Sequence, residues 1–342
     1  MQIRLKSPLD MHLHLREGEL LKQVVPYSAA PFAGAVIMPN LISPIDSLQK
    51  LRNYKKTIER ALAPSSFTPY MTLFFRPYSE AELVEARGEI IGIKLYPAGI
   101  TTQSENGVSD FTQIETTLGM MEELRIPLLV HGEANGFVMD REKDFLPVYE
   151  NIARKYTKLH IVMEHITTAA ALRLLDKYEN ISATVTLHHL LLTLDDLAGG
   201  LLKPHLFCKP IAKRPEDRAA LRDAVFSGHP RLLFGSDSAP HPRHKKECCG
   251  CAAGIFSAPV ALPMLAGLFA DAGKLEKLQG FVSDNARKRY AIQPPEKQIR
   301  LVERAWQVPW QDKDLQPFAA GQTLHWSIAD IKTDSDAGPQ RG

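Results

Sequence analysis

Short apolar runs alternate with longer amphipathic segments along most of this chain, from about residue 5 to about residue 290. Runs of four to eight apolar residues are typical of buried strands, and apolar positions spaced by three or four residues are typical of helices. The strands are predicted in segments 9–16, 34–40, 70–75, 90–97, 126–131, 159–165, 181–186 and 231–237. The intervening helices are predicted near Asp46, after the capping box Ser79-x-x-Glu82, near Ile114, from Asp144 to Lys155, near Ala171 and near Pro215.

This order of elements predicts the α/β class and, within it, a (β/α)8 barrel. A doubly wound open sheet is the structural alternative. It is disfavoured because no glycine-rich phosphate-binding fingerprint follows the first predicted strand.

The first predicted strand alternates strictly between apolar and polar residues. The apolar positions are Leu9, Met11, Leu13 and Leu15, and the polar positions are Asp10, His12, His14 and Arg16. Because side chains two residues apart share one face of a strand, the two histidines can bind one metal ion. Arg16 follows on that face and can hold an anion beside the metal. The alternative is a half-exposed strand whose polar face meets water.

Composition narrows the class of protein. The chain has 342 residues, of which 44% are hydrophobic and 23% charged, as expected for a globular protein with a full core. A net charge of +2 gives no reason to expect a nucleic-acid partner. No apolar run reaches transmembrane length and the N-terminus lacks a signal-peptide pattern, so we expect no membrane association and a cytoplasmic location.

We expect one catalytic domain over residues 1–342, with the barrel at about 5–290. The first strand begins within ten residues of the N-terminus, so no domain is expected before it. Residues 291–342, with Trp306 and Trp310, are expected to form a C-terminal extension packed on the barrel exterior. The last residues, from about Thr333, are polar and are expected to be frayed.

The four cysteines do not predict a structural metal site or a disulfide framework. Cys248, Cys249 and Cys251 are crowded in one segment and Cys208 lies apart, so the second pair of a zinc knuckle is missing.

Chemistry-bearing residues recur where the predicted strands end. They are His12, His14, Asn40, Lys94, His131, His165 and Asp237. In a (β/α)8 barrel these ends meet at the face that carries the active site. Each residue alone has a simpler explanation, such as a hydrogen-bonded core histidine or a helix cap. Together, four histidines and a carboxylate predict a zinc site with one position left for water.

Lys94 interrupts an apolar strand, where burial disfavours an ammonium group. One explanation is a lysine that extends to the rim of the barrel. The functional explanation is a neutral amine that captures carbon dioxide as a carbamate, whose two oxygens can bridge two metal ions. Such a pair of ions activates water near neutral pH and polarises a carbonyl.

The other histidines divide by position. His241 follows the last strand closely enough to contact a substrate, and His188 and His189 end the seventh strand, where they could orient metal ligands. The remainder, predicted to be surface or packing residues, are His160, His205, His229, His244 and His325.

Several motifs together resemble the dihydroorotase family, in its single-domain type within the amidohydrolase superfamily. They are His12-Leu13-His14-Leu15-Arg16, Met38-Pro39-Asn40, Lys94-Leu95-Tyr96-Pro97, His131-Gly132-Glu133, Glu164-His165-Ile166 and Gly235-Ser236-Asp237-Ser238-Ala239-Pro240-His241. The H-x-H element alone suggests only the superfamily. Its combination with the segments at Lys94 and Asp237 is far more specific, and the resemblance covers about residues 5–290.

The resemblance implies the reversible, zinc-dependent cyclisation of N-carbamoyl-L-aspartate to (S)-dihydroorotate in pyrimidine biosynthesis. It implies that two zinc ions per subunit are bridged by carboxylated Lys94 (N6-carboxylysine). His12, His14 and Asp237 would hold one ion, and His131 and His165 the other. Asp237 would also be the catalytic general base.

The resemblance also implies a set of substrate-binding residues. They are His14, Arg16, Asn40, Thr101, Thr102, His131, Lys209, His241 and Ala253. Arg16, Asn40 and His241 would hold the substrate carboxylate, and Thr101 and Thr102 match a loop that closes over substrate in relatives. Ala253 and Lys209 would contact substrate through the backbone, although relatives often have an apolar residue in place of Lys209.

The sequence leaves two alternative functions open. A hydantoinase or an allantoinase would share the metal ligands, and Arg16, Asn40 and His241 argue against both because they suit a carboxylated substrate. A catalytically inactive barrel that serves as a partner protein is disfavoured because every metal position is present. The resemblance also implies a homodimer.

Overall fold

The computed structural model describes residues 1–62, 66–100, 107–108 and 114–333. Its strands are β1 (Gln2–Lys6), β2 (Leu9–Leu13), β3 (Gly34–Ile37), β4 (Thr68–Phe74), β5 (Gly92–Leu95), β6 (Leu128–Val130), β7 (Ile161–Met163), β8 (Ile181–Val185), β9 (Leu232–Phe234), β10 (Lys297–Gln307) and β11 (Thr323–Thr333).

The α-helices follow the strands of the barrel in sequence. They are α1 (Gly18–Ala29), α2 (Leu48–Ala61), α3 (Glu80–Ala86), α4 (Glu115–Leu124), α5 (Arg141–Lys155), α6 (Ala169–Lys177), α7 (Leu187–Leu191), α8 (Leu194–Ala198), α9 (Pro215–Phe226), α10 (Arg243–Lys246), α11 (Ala261–Asp271) and α12 (Asn285–Tyr290). Short 3-10 segments lie at Pro204–Leu206, Ala258–Val260 and Leu275–Lys277, and a π-helical turn lies at Gly280–Asp284.

Within the described residues, β2 to β9 form one parallel sheet in which each strand pairs with the next along the chain. The first and last strands meet where Leu13 and Ser238 form a parallel bridge. There the Asp237 amide also donates to the His12 carbonyl, at 2.9 Å. The predicted (β/α)8 barrel is confirmed.

The barrel strands are largely buried and mostly apolar because both faces of the barrel wall are covered. One cluster joins side chains from strands on all sides and fills the barrel interior: Leu9, Met11, Val36, Met38, Leu129, Val162 and Leu233. The larger cluster lies between the strands and the surrounding helices. The helix starts follow the sequence signals: Ser79 and Glu82 form the predicted capping box of α3, and Pro215 opens α9.

The predicted single apolar face of segment 9–16 is wrong. Leu9 and Met11 pack inside the barrel, whereas Leu13 and Leu15 pack in the outer cluster. The pairing of β2 with β3 shifts register between Asp10 and Leu13, and such an irregularity moves the following side chains to the other face. The polar residues of this segment are also buried, and none of them lies on a water-facing side.

A second sheet was not predicted from the sequence. It is antiparallel and three-stranded in the order β1, β10, β11, so it joins the N-terminus to the C-terminal segment. Trp326 of β11 is buried, and its carbonyl accepts a hydrogen bond from the Trp306 indole at 2.7 Å. Trp310 is exposed. The predicted frayed end, residues 334–342, lies outside the described residues.

None of the helices in the described part of the chain has the length and apolar character required to cross a membrane.

Candidate active site

The residues predicted to bind metal meet at the carboxyl ends of the barrel strands. His12 lies in β2 and Lys94 in β5, whereas His14, His131, His165 and Asp237 follow the ends of β2, β6, β7 and β9. All six side chains are buried. Residues from five strands therefore converge on one interior volume.

Three of these side chains form a compact group of donor atoms. The Nε2 atoms of His12 and His14 are 3.3 Å apart. Asp237 Oδ1 lies 3.1 Å from His14 Nε2 and 3.5 Å from His12 Nε2. A tetrahedral zinc ion with metal–nitrogen distances of about 2.0–2.1 Å has ligand atoms about 3.3 Å apart. The spacing of these donors fits such an ion.

His131 and His165 form a neighbouring pair of donors. His131 Nδ1 lies 3.1 Å from His165 Nε2, which is again the separation of two ligands of one ion. The rings of His165 and His12 are 4.9 Å apart between centroids, so the pair adjoins the first group.

Two buried glutamates select the tautomers that metal binding requires. Glu164 accepts from His12 Nδ1 at 2.7 Å, and Glu133 accepts from His131 Nε2 at 2.8 Å. Each bond fixes the proton on the outer nitrogen and leaves a lone pair on the nitrogen that faces the neighbouring histidine. Thr184 in turn donates to Glu164 at 2.6 Å.

Sequence reasoning gave these glutamates no role, although both lie in the motifs that carry the family resemblance. Glu133 follows His131 by two residues and Glu164 directly precedes His165. Only the fold shows that Glu164 supports a histidine of a different strand.

Burial favours the neutral form of three of these imidazoles, which can then bind a cation. It lowers the pKa of His12, and it lowers the pKa of His14 and His165 strongly. Burial raises the pKa of Asp237, and the nearby His12 opposes that shift. A metal ion at this position would restore the charged carboxylate.

Lys94 is a fully buried lysine without a hydrogen-bond partner for Nζ among the described residues. Burial lowers its pKa to about 8, against the opposing effects of the Glu164 and Asp237 carboxylates. The Tyr96 ring centroid is 5.1 Å from Nζ. The alternative explanation, a side chain that extends to the rim, does not fit, because the amine stays buried inside the barrel beside the candidate metal-binding groups.

Backbone conformation at the site is unusual in three places. Arg16, His165 and Asp237 have φ angles of 60°, 41° and 42°, in the left-handed region that non-glycine residues rarely adopt. Such residues persist where surrounding bonds hold them, and they cluster at functional sites. Here the His165 amide donates to Thr184 Oγ1 at 2.6 Å, and the Tyr54 hydroxyl donates to the Arg16 carbonyl at 2.7 Å.

Arg16 and His241 form a cationic subsite, the candidate carboxylate subsite, beside the candidate metal-binding side chains. Arg16 Nε donates to the Pro240 carbonyl at 3.0 Å, and its Nη2 lies 3.0 Å from His241 Nε2. The same His241 nitrogen lies 3.0 Å from the Ala253 carbonyl oxygen. Burial lowers the pKa of His241 to about 3 and that of Arg16 to about 10, so the subsite has one neutral ring beside one cation.

The structure describes two of the remaining predicted substrate contacts, Asn40 and Lys209. Asn40 is buried beyond the carboxyl end of β3, on the same face of the barrel. Lys209 Nζ donates to the Ile100 carbonyl at 2.7 Å, so its side chain is engaged with the segment that follows β5. Thr101 and Thr102 lie outside the described residues.

A second group of possible ligands lies near the site, at His188, His189 and Cys208. The ring nitrogens of His189 are already engaged, by the Thr186 hydroxyl at 2.9 Å and the Pro210 carbonyl at 3.0 Å. We therefore assign no metal to this group. Cys248 and Cys249 are exposed and Cys251 is partly buried, and all four cysteines are free.

The comparisons with known proteins agree with this geometry. A dihydroorotase of Helicobacter hepaticus is 46% identical over 295 residues, which is 85% of each chain. A crystal structure of dihydroorotase from Campylobacter jejuni has a TM-score of 0.92 at 52% identity and covers 96% of this chain and 98% of that one.

A dihydroorotase of Saccharomyces cerevisiae, solved in complex with 5-fluoroorotic acid, has a TM-score of 0.90 at 35% identity. The match covers 96% of this chain and 98% of the yeast chain. No protein-family model matches the chain.

Sequence identity, fold and the arrangement of donor atoms lead to the same assignment. The family and the donor set together indicate a metal-dependent cyclic-amide hydrolase. The chain belongs to the dihydroorotase family.

Proposed function

We propose that the protein catalyses the reversible cyclisation of N-carbamoyl-L-aspartate to (S)-dihydroorotate. The main support for this proposal is that one segment contributes to two neighbouring subsites of different chemistry. Asp237 belongs to the donor group with His12 and His14, and three residues later the same segment supplies Pro240, whose carbonyl holds Arg16. This arrangement supports a site in which a group that cleaves or forms an amide would lie beside a group that binds a carboxylate.

We propose two zinc ions at this site. His12, His14 and Asp237 would hold one ion, His131 and His165 the other, and carboxylated Lys94 would bridge them. The donor spacing, the neutral imidazoles and the amine without a partner support this set. When bound, the ions polarise the amide carbonyl and activate water near neutral pH.

Lys94 would become a carbamate by attack of its neutral Nζ on carbon dioxide. A nitrogen–carbon bond forms, one carbon–oxygen π bond opens, and the amine releases a proton. With a pKa of about 8, roughly a tenth of the amine is neutral at pH 7, compared with less than a thousandth at the ordinary pKa. The product is an anion beside His12, His14 and His165, whose pKa values are lowered by burial, and this combination favours cation binding.

Asp237 would move the proton of the reaction. In hydrolysis it accepts a proton from water and delivers it to the ring nitrogen that leaves, and in synthesis it takes the proton from the attacking ureido nitrogen. Its Oδ1 lies 3.1 Å from His14 Nε2 and 3.5 Å from His12 Nε2, so the proposed base belongs to the donor group that would hold the metal ion.

Arg16 would bind the substrate carboxylate through its planar guanidinium, with Asn40 and His241 as further donors. His14 and His131 border this volume, and the backbones at Ala253 and Lys209 would complete it. The yeast relative was solved with 5-fluoroorotic acid, which also has a ring carboxylate.

Comparing substrates tests the proposal. The purified, metal-loaded protein is given dihydroorotate, hydantoin and allantoin, and the rates are compared with those of Arg16→Met. We expect preference for dihydroorotate, and we expect the variant to lose most of that preference through a higher KM. Preference for hydantoin or allantoin, or no turnover of any substrate with two ions bound, would overturn it.

We further propose that the protein is a cytoplasmic homodimer with one catalytic domain over residues 1–342. The single-domain type that the motifs resemble supports the dimer. Light scattering after size-exclusion chromatography tests it, because a dimer has twice the mass of the 38.1 kDa chain.

A further inference from the structure

Lys246 is a buried lysine close to the carboxylate subsite, and neither the motifs nor the comparisons give it a role. It ends the short helix α10, in the run His244-Lys245-Lys246-Glu247, where its neighbours Lys245 and Glu247 are exposed. The side chain of Lys246 is turned inward, with 2% of the residue exposed.

The ammonium of Lys246 donates to three backbone carbonyls. The acceptors are Phe207 at 2.9 Å, Ala252 at 2.7 Å and Gly254 at 2.8 Å. A lysine ammonium has three N–H donors, so its whole hydrogen-bonding capacity is used by these three carbonyls. Among the described residues it forms no ion pair with a carboxylate, and the three carbonyl dipoles balance its charge.

These carbonyls belong to two separate segments that border the proposed substrate site. Ala252 and Gly254 flank Ala253, whose carbonyl oxygen lies 3.0 Å from His241 Nε2. Phe207 lies two residues before Lys209. One further bond joins the segments directly, from the Gly254 amide to the Phe207 carbonyl at 2.9 Å.

We propose that Lys246 is a positioning residue that holds the segments 207–209 and 252–254 together, and thereby sets the Ala253 and His241 side of the carboxylate subsite. The inference rests on the proposed function, since that function identifies the subsite as a substrate-binding one. The hydrogen bonds of Lys246 go to backbone carbonyls and none goes to a side chain proposed to bind metal, so we expect its effect on substrate binding and not on the chemical step.

Three substitutions at Lys246 separate its possible contributions. Lys246→Met keeps the length and removes donors and charge, Lys246→Gln keeps two donors without charge, and Lys246→Arg keeps both charge and donors. Lys245→Met is the exposed control. Lys297→Met is the buried control, because Lys297 also donates to three carbonyls but far from the site, at the C-terminus of α1.

Steady-state kinetics of dihydroorotate hydrolysis gives the first readout. We expect Lys246→Met to raise KM about tenfold or more and to change kcat by less than about threefold, because displacing the Ala253 and His241 side of the subsite weakens a hydrogen bond to the substrate carboxylate, and the loss of one such bond changes binding by about that factor. Lys246→Arg should recover part of the loss, and both controls should keep the KM of the unaltered protein. An unchanged KM in a folded Lys246→Met protein would overturn the inference.

Hydrogen exchange gives a second readout that does not depend on activity. In Lys246→Met, the amide of Gly254 and its neighbours should exchange faster, while Lys297→Met should leave them protected. If the unaltered protein fails to hydrolyse dihydroorotate, the proposed function is wrong, and faster exchange would still show that Lys246 joins the segments. Unchanged hydrogen exchange at residues 252–254 would refute the inference that Lys246 holds the two segments together. Should Lys246→Met not fold, Lys246→Gln takes its place in both measurements.

Discussion

Lys94 and Lys297 are both buried lysines, and they lie at opposite ends of the barrel. Lys94 is at the carboxyl end of β5, whereas Lys297 begins β10, beside the amino ends of the barrel strands. Burial lowers the pKa of each to about 8. The difference lies in their partners. Lys297 donates to Ala29 at 2.7 Å, Ala30 at 3.2 Å and Phe32 at 2.7 Å, while Nζ of Lys94 has no partner among the described residues.

We interpret this difference as that between a structural lysine, Lys297, and the lysine proposed to react with carbon dioxide, Lys94. The ammonium of Lys297 donates to carbonyls at and just after the C-terminus of α1, so it stabilises the end of that helix. A buried amine without a hydrogen-bond partner costs free energy unless a reaction or a ligand compensates it. In (β/α)8 barrels the carboxyl ends of the strands carry function and the amino ends carry stability, and these two lysines follow that division.

The largest effect is expected from Lys94→Ala. Without the bridging group, kcat/KM should fall by about 10⁴ or more, and the metal content per chain should fall with it. Added short carboxylic acids should restore part of the activity by occupying the bridging position. Metal analysis and dihydroorotate turnover measure this. Normal metal content and a normal rate in Lys94→Ala would show that Lys94 has no functional role and does not differ from Lys297 in this respect.

Asp237→Asn should lower kcat by about 10³, because an amide cannot accept the proton that the carboxylate moves. Asp10→Asn is the matched comparison, since Asp10 is also buried and accepts from the amides of His12 and Ser236, at 3.1 and 2.7 Å. The amide oxygen can still accept both bonds, so this variant should stay within about tenfold of the unaltered rate. An equal loss of kcat in the two variants would show that the effect comes from removing a buried charge and not from the loss of proton transfer.

Lys297→Met should affect stability and not catalysis. Three carbonyls lose their donor, which should lower the free energy of unfolding by about 2–3 kcal/mol. Urea unfolding followed by circular dichroism measures the loss, and the kinetic constants of the folded variant provide the control. A change in kcat without a change in stability would contradict the structural role.

The smallest effect is expected at His160, which is partly buried at the amino end of the barrel and lies 2.9 Å from Ser182 Oγ. Burial lowers its pKa to about 3, from 6.5 in the unfolded chain. Between those values the unfolded state binds a proton that the folded state does not, so stability is lost as pH falls from about 6.5.

The variant His160→Gln lacks this titration. Relative to it, the unaltered protein should lose about 1 kcal/mol of unfolding free energy between pH 7.5 and 5.5. Unfolding curves of both proteins at the two pH values supply the measurement. Parallel losses in the two proteins would assign the acid sensitivity to other groups.

The sequence by itself determined the order of the barrel strands and named the candidate metal-binding side chains. Periodicity is a local property, so the eight barrel strands and six of the helices around them could be placed within a few residues, whereas α1, α11 and the second sheet were not predicted. The ends of parallel strands must meet at one face. This was enough to bring His12, His131, His165 and Asp237 together without coordinates. The alternation of segment 9–16 added Arg16, and the position just after the last strand added His241; Arg16 Nη2 and His241 Nε2 lie 3.0 Å apart.

Only the tertiary structure decided which buried groups have partners. The register shift in β2, the pairing of β1 with β10, and the bonds of Lys209, Lys246 and Lys297 all join residues that are distant in sequence or depend on strand pairing. Nothing local in the run His244-Lys245-Lys246-Glu247 separates the buried lysine from its exposed neighbour. Hydrogen-bond partners are set by the approach of whole segments, and that approach is a property of the folded chain.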